Sequence, residues 1–378
     1  MKQKNSIKKV LLLIAFALIG ALIGYFIGKM TSSEATSTTP LSVKLLSLAL
    51  ILPAFLAVVA WHEGGHAVAG ASVGFDFRMY VVGPFMWEKD STGWRFKWNK
   101  NVNIAGGLAL CLPTDTVNLN NRFTVFAAGG PVSSLVLTAL SYAIYSVFFK
   151  DNPTNNWGVS VFGNFLFITA LLSFFIFLAT AIPLRMGGFY TDGARVLRLQ
   201  RGGDTARFES LVLKLTANTT SGMRPKSINI NELEEALAIA TRLNEPFGVY
   251  IHGFLHQAAL DNGDVEKAEK HLHDYINEAD NIPDGIRNTV WLDAAFFYAY
   301  AKKDLDTADN FWQQFKPAAM IPQAQILATE AALSVLKNDG ETALLKIENA
   351  VKELPNMIDK GGAIALKEKL DLMKLAIA

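Results

Sequence analysis

The residues best placed by type and spacing to do chemistry are two histidines four apart with a glutamate beside the first. They stand in Ala60-Trp61-His62-Glu63-Gly64-Gly65-His66-Ala67-Val68. On a helix, positions i and i+4 share one face about a turn apart, so both imidazoles can reach one metal ion. Glu63 can hydrogen-bond a metal-bound water and act as its general base. Glycines at 64 and 65 leave open space on the helix surface where a peptide must approach. Three ionisable residues in an apolar helix are costly without a job. His252 and His256 are also four apart, but no carboxylate follows the first. His271 and His273 are two apart and cannot share a helical face, so no metal role is expected of either pair. Gly106-Gly107 and Gly187-Gly188 lack a following Lys-Ser/Thr, which argues against a phosphate loop. Cys111, the only cysteine, excludes an internal disulfide and a cysteine-based zinc cluster. It reads as a small buried apolar residue.

The elements that must position these groups are apolar. With 378 residues the chain has room for a membrane domain and one more domain, and its net charge of +1 points to no nucleic acid. The first apolar run, Val10 to Ile27, follows Lys2, Lys4, Lys8 and Lys9 and is expected to be a retained helix rather than a cleaved signal. A Ser/Thr-rich spacer, Thr31 to Pro40, leads into a second run from Leu41 to about Val73, which ends in the histidine motif. Phe123–Phe149 and Val159–Pro183 are two further runs long enough to span a hydrocarbon core about 30 Å thick. Lys and Arg crowd the N-terminus, the segment from Arg78 to Arg122, and the chain after Arg185. The positive-inside rule then gives about four spans with both termini cytoplasmic in an integral protein of the cell membrane. Between the second and third spans, Phe85 to Trp87 faces Trp94 to Trp98 across Asp90-Ser91-Thr92-Gly93, a predicted β-hairpin with aromatics on one face. It either packs those aromatics at headgroup level or forms a sheet beside the site. In the second case the segment Asn101 to Pro113 could offer an edge to an unwound substrate.

Three motifs together resemble the site-2 protease family of intramembrane zinc metallopeptidases, over about the first 200 residues. His62-Glu63-Gly64-Gly65-His66 is similar to the family's His-Glu-x-Gly-His. Phe126-Ala127-Ala128-Gly129-Gly130-Pro131 is similar to its Ala-Gly-Pro element. Ile182-Pro183 followed by Thr191-Asp192-Gly193-Ala194-Arg195 is similar to its Asn-x-x-Pro and Asp-Gly elements. Here Thr180 and Ala181 precede Pro183 where the family has Asn, Leu184 to Tyr190 lengthen the spacing, and Ser134 follows the Ala-Gly-Pro element. The resemblance implies one zinc ion per chain held by His62, His66 and Asp192, with Glu63 activating the water. Pro183, Gly187 and Gly188 supply a break that lets the chain turn Asp192 back to the site. Asp76 and Asp115 are rival third ligands, and Asp192 could instead be a helix N-cap.

After about Gln200 the composition becomes that of a soluble domain. Gly263-Asp264-Val265-Glu266-Lys267-Ala268-Glu269 lines up with Lys303-Asp304-Leu305-Asp306-Thr307-Ala308-Asp309, and less well with Asp339-Gly340-Glu341-Thr342-Ala343-Leu344. The spacing of about 35 to 40 residues resembles tetratricopeptide-like helix pairs. The expected fold is therefore mainly α: a transmembrane metallopeptidase domain over 1–200 with a small cytoplasmic-side β-hairpin or sheet, then a cytoplasmic α-helical repeat domain over 201–378. The expected activity is zinc-dependent cleavage of a membrane-spanning or membrane-bound peptide near the cytoplasmic face, with a possible protein partner at the repeat domain. The alternatives are an idle membrane scaffold holding a partner through its repeats, or a membrane peptidase acting on soluble cytoplasmic peptides.

Overall fold

The computed structural model describes residues 45–46, 48–99, 106–150, 156–186, 189–245, 248–282, 284–318 and 321–377. The run Val10–Ile27, the spacer Thr31–Pro40 and the Gly187-Gly188 break lie outside the described residues. So does the first part, 101–105, of the segment expected to present an edge.

The second apolar run forms helix α1, Ile51–Ser72. It closes in a Schellman-type end: the amides of Gly74 and Phe75 donate to the carbonyls of Ala71 and Gly70, at 3.0 and 2.9 Å, with Gly74 at φ 78°. The chain then enters a four-stranded antiparallel sheet of β1 (Asp76–Val82), β2 (Phe85–Asp90), β3 (Gly93–Trp98) and β4 (Leu108–Leu112), in the order β3-β2-β1-β4. The expected hairpin is β2–β3, and its register pairs Phe85 with Trp98, Trp87 with Phe96 and Asp90 with Gly93. Helices α2 (Leu119–Phe148) and α3 (Trp157–Ala181) follow.

The chain divides into two compact units. The first takes in the described residues of 1–61 and 132–179. Within it the Trp61 indole donates to the Ser133 carbonyl at 2.9 Å, and the Ser173 hydroxyl to the Ser134 carbonyl at 2.7 Å. Ser134 and Ser173 are fully buried, so the second bond satisfies polar groups that no water reaches.

The second unit joins His62–Pro131 to Thr180–Ala378. A two-stranded hairpin of β5 (Arg185–Met186) and β6 (Phe189–Tyr190) leads to α4 (Asp192–Gln200) and α5 (Gly203–Ser221). Then come α6 (Ile230–Leu243), α7 (Gly248–Asp261), α8 (Val265–Asn277), α9 (Asp284–Phe297), α10 (Leu305–Gln314), α11 (Gln323–Leu336), α12 (Gly340–Glu353) and α13 (Lys360–Ile377). The repeat seen in the sequence has a local cause. Gly263, Lys303 and Asn338 take left-handed backbone angles, and each is followed by an N-cap aspartate. Asp264, Asp304 and Asp339 accept from the amides of Lys267, Thr307 and Thr342, at 3.0, 3.1 and 3.0 Å. One residue past the capped position, Ala268, Ala308 and Ala343 are fully buried and let the helices pack closely.

The expectation of about four spans is corrected. Among the described residues two helices, Leu119–Phe148 and Trp157–Ala181, are long and apolar enough to cross a membrane. The physical reason for the shortfall is twofold. The first run lies outside the described residues, and α1, which carries His62, Glu63 and His66 in its C-terminal half, is not among the helices long and apolar enough to cross a membrane.

Candidate metal centre

His62 and His66 sit on one face of α1, both buried, with ring centroids 4.9 Å apart. Asp192 arrives from the far side of the sequence. After Ala181 the β5–β6 hairpin reverses the chain, fixed by the Thr191 amide on the Leu184 carbonyl at 3.1 Å and the Thr191 hydroxyl on the Ile182 carbonyl at 2.8 Å. Thr191 is the N-cap of α4, its hydroxyl accepting from the Ala194 amide. The capping reading of Asp192 is thereby corrected: the cap is one residue earlier, and the Asp192 carboxylate is free for the histidines. A side chain at Gly193 would strike the Ala181 carbonyl, so only glycine lets α4 approach this closely.

The donor atoms converge. Asp192 Oδ2 lies 3.4 Å from His62 Nε2 and 3.3 Å from His66 Nε2. A tetrahedral zinc with bonds of about 2.0–2.1 Å sets its donors roughly 3.3–3.4 Å apart, which these two distances match, and all three donor atoms lie within 4.8 Å of one another. His66 Nδ1 lies 2.8 Å from the Phe126 carbonyl. A carbonyl can only accept, so Nδ1 carries a proton, and Nε2, the nitrogen facing Asp192, is the one an ion would take. Burial would raise the Asp192 carboxyl, but the hydrogen bonds to His62 and His66 hold it down to about 2. The rivals are elsewhere. Asp76 pairs with Arg78 at 2.5 Å and Lys89 at 3.2 Å, and Asp115 pairs with Arg122 and caps the Val117 amide at 2.9 Å.

Two features of this centre carry no signal in the spacing of the histidine motif. Gly130 faces the histidines: a Cβ there would fall 2.7 Å from His62 Nε2 and closer still to His66 Nε2. The space over the donor nitrogens exists because residue 130 has no side chain. Gly129 next to it lets α2 approach α1, since a Cβ there would lie 2.5 Å from the Gly65 carbonyl oxygen. Tyr80, on β1, is the second. Its hydroxyl lies near Gly64, and burial, with the negative charge of Glu63, pushes its phenol up to about 12. It is therefore a proton donor throughout the physiological range. Only its place opposite Ala109 in the β1–β4 register brings it here.

Glu63 is partly buried, among His62, His66 and Asp192, and accepts a hydrogen bond from the Ala109 amide of β4. The sheet therefore stands beside the metal centre, with β4 at its edge. Its aromatics form one run: Phe85 to Trp98 at 5.7 Å, Trp98 to Phe96 at 5.4 Å, Phe96 to Trp87 at 5.5 Å and Trp87 to Tyr80 at 6.0 Å. Behind the site Phe75, Cys111, Phe123, Ala127, Leu213 and Ala217 form one buried cluster. Cys111 is buried and free, as read from the sequence, and burial, with Asp76, pushes its thiol up to about 12. Arg195 lies 5.8 Å from the Phe123 ring centre.

Asp192 is held from behind by a buried charge cluster. Arg198, one and a half turns along α4, donates to Glu209 at 2.6 Å and Glu245 at 2.7 Å and stacks over Tyr190 at 4.0 Å. Tyr190 donates to Glu245 at 2.7 Å.

No family model matches this chain, and no curated protein and no solved structure matches it either.

Proposed function

We propose that the protein is an intramembrane zinc metallopeptidase of site-2 protease type, cutting a membrane-spanning or membrane-bound peptide. The observation that carries the reading is the donor spacing of His62, His66 and Asp192, with Glu63 on the same helix turn. Zinc held there would supply Lewis-acid polarisation of a water and of the scissile carbonyl. Glu63 takes the proton as the water oxygen bonds to the carbonyl carbon. Tyr80 donates to the oxygen on which negative charge develops. The C–N bond then breaks, and Glu63 returns its proton to the leaving amine, so no acyl-enzyme forms. An unwound substrate segment has backbone groups to satisfy, and β4, the edge strand next to Glu63, offers a row of partners.

The setting we propose is the cell membrane. Two helices of sufficient length and apolarity support it, and the distribution of Lys and Arg favours cytoplasmic termini. The helical pairs after Gly203 would then face the cytoplasm, available to a protein partner. A scaffold without catalysis would have no need of Glu63 beside the donor set.

The test compares wild type with Glu63→Gln. Single-pass membrane proteins that accumulate in cells carrying the variant are the substrate candidates, and each is then offered to both purified forms. Wild type is expected to cut at least one of them and Glu63→Gln none, with zinc retained, because an amide cannot take the water's proton. Near-normal cutting by Glu63→Gln would refute the peptidase assignment.

A further inference from the structure

The helical repeats hold a second set of metal donors, and it is the cross-helix pairing that the spacing within each helix hides. His256 is not part of it: its Nδ1 lies 2.8 Å from the Ala268 carbonyl in the core between α7 and α8. These two helices run antiparallel through the Asn262-Gly263-Asp264 turn. One turn before His256 on α7 is His252, and three residues after Ala268 on α8 is His271, so the hairpin sets the two opposite each other. Their ring centroids are 6.3 Å apart. Asp274 follows His271 by three residues, on the same face of α8, and its Oδ2 lies 3.8 Å from His252 Nδ1. One donor atom from each of His252, His271 and Asp274 lies within 4.8 Å of the others.

An ion-paired cluster is the plain alternative, but it leaves the rings unexplained. The carboxylates of Asp274 and Glu278 stand 3.8 and 3.9 Å from His252, too far for hydrogen bonds. Nδ1 of His252 and Nδ1 of His271 are both buried with no hydrogen-bond partner. Two buried ring nitrogens without a partner are costly unless something binds them. Glu278 stands on the opposite side of the His252 ring, 3.9 Å from Nε2. The cluster opens into a groove of about 590 Å³ whose other walls include Glu234, Thr241 and Arg242 of α6. Water can therefore complete the coordination.

We propose that His252, His271 and Asp274 form a second divalent-metal site, of zinc-type donor set, that staples α7 to α8. Two imidazoles and one carboxylate suit zinc and its neighbours rather than calcium or magnesium. Closing donors that now lie within 4.8 Å of one another to the spacing of roughly 3.3–3.4 Å around a tetrahedral ion requires side-chain movement on the order of an ångström, in side chains that line an open groove. This site is independent of the peptidase reading and uses none of its residues.

The test removes the first site and asks what zinc remains. A full-length chain carrying His62→Ala and His66→Ala, stripped with chelator and re-equilibrated with zinc alone, is expected to keep one ion per chain and to unfold at a higher temperature with zinc than without. Adding His271→Ala or Asp274→Asn should abolish both effects while far-ultraviolet dichroism shows the helices retained. Cobalt in place of zinc should give the visible bands of a low-coordinate site, lost in the same variants. If the chain lacking His62 and His66 retains no zinc, or if its zinc survives both His271→Ala and Asp274→Asn, the second site does not exist. Neither result would touch the first.

Discussion

At Gly130 the absence of a side chain keeps open the space beside the nitrogens of His62 and His66. A methyl group there would occupy the volume that an ion held by both would need. That methyl would press on two buried imidazoles, so Gly130→Ala should displace the rings at a cost in stability, offset in part by the roughly 1 kcal/mol helix preference of alanine, while zinc affinity falls at least tenfold. Thermal unfolding and zinc titration of the same preparation check both halves. Unchanged affinity would mean that the ion does not sit on these nitrogens. The histidine pair and Glu63 were legible because a helix fixes the i, i+4 geometry by itself. Gly130 and Tyr80 were not, since each reaches the site from another element and has no characteristic spacing to α1. The Gly-Gly-Pro stretch in the middle of an apolar helix was the available signal for Gly130. Tyr80 gave none beyond its place in a strand.

Among the elements, α4 decides whether the donor set is complete. It is nine residues long and carries Asp192 at its first position, so something must hold its orientation. Arg198 does so, between Glu209 and Glu245, with side-chain exposures of 13, 10 and 4%. Replacing it with methionine keeps the apolar stem but leaves two buried carboxylates without a cation, a loss of about 3 kcal/mol or more. Arg198→Met is accordingly expected to lower the unfolding temperature and to weaken zinc binding at a site it does not touch. A variant with normal zinc affinity would mean that the β5–β6 hairpin alone orients Asp192. The β2–β3 hairpin and the repeat spacing could be read from sequence, because a tight turn between aromatic runs and an Asp-capped helix start are local features. The return of the chain at residues 182–191 was legible only as a break at Pro183. Its direction depends on the Thr191 contacts with Ile182 and Leu184, which no local pattern encodes.

At the scale of the whole chain, the number of membrane crossings is where hydropathy misled. Three ionisable side chains in the C-terminal half of α1 interrupt its apolar run, and α1 is not among the helices long and apolar enough to cross a membrane. The distant segment after Thr180 lies in the same compact unit as His62, His66 and the sheet. The metal centre is thus a product of long-range folding rather than of the motif alone. Asp192 is the residue in which that long-range claim can be measured, by counting zinc ions per chain in purified wild type and in Asp192→Ala, Asp76→Ala and Asp115→Ala. The geometry predicts that Asp192→Ala loses one ion per chain and all peptide cleavage with its helicity unchanged, and that the other two variants match wild type. Full zinc content in Asp192→Ala, or a lost ion in Asp76→Ala or Asp115→Ala, would contradict it.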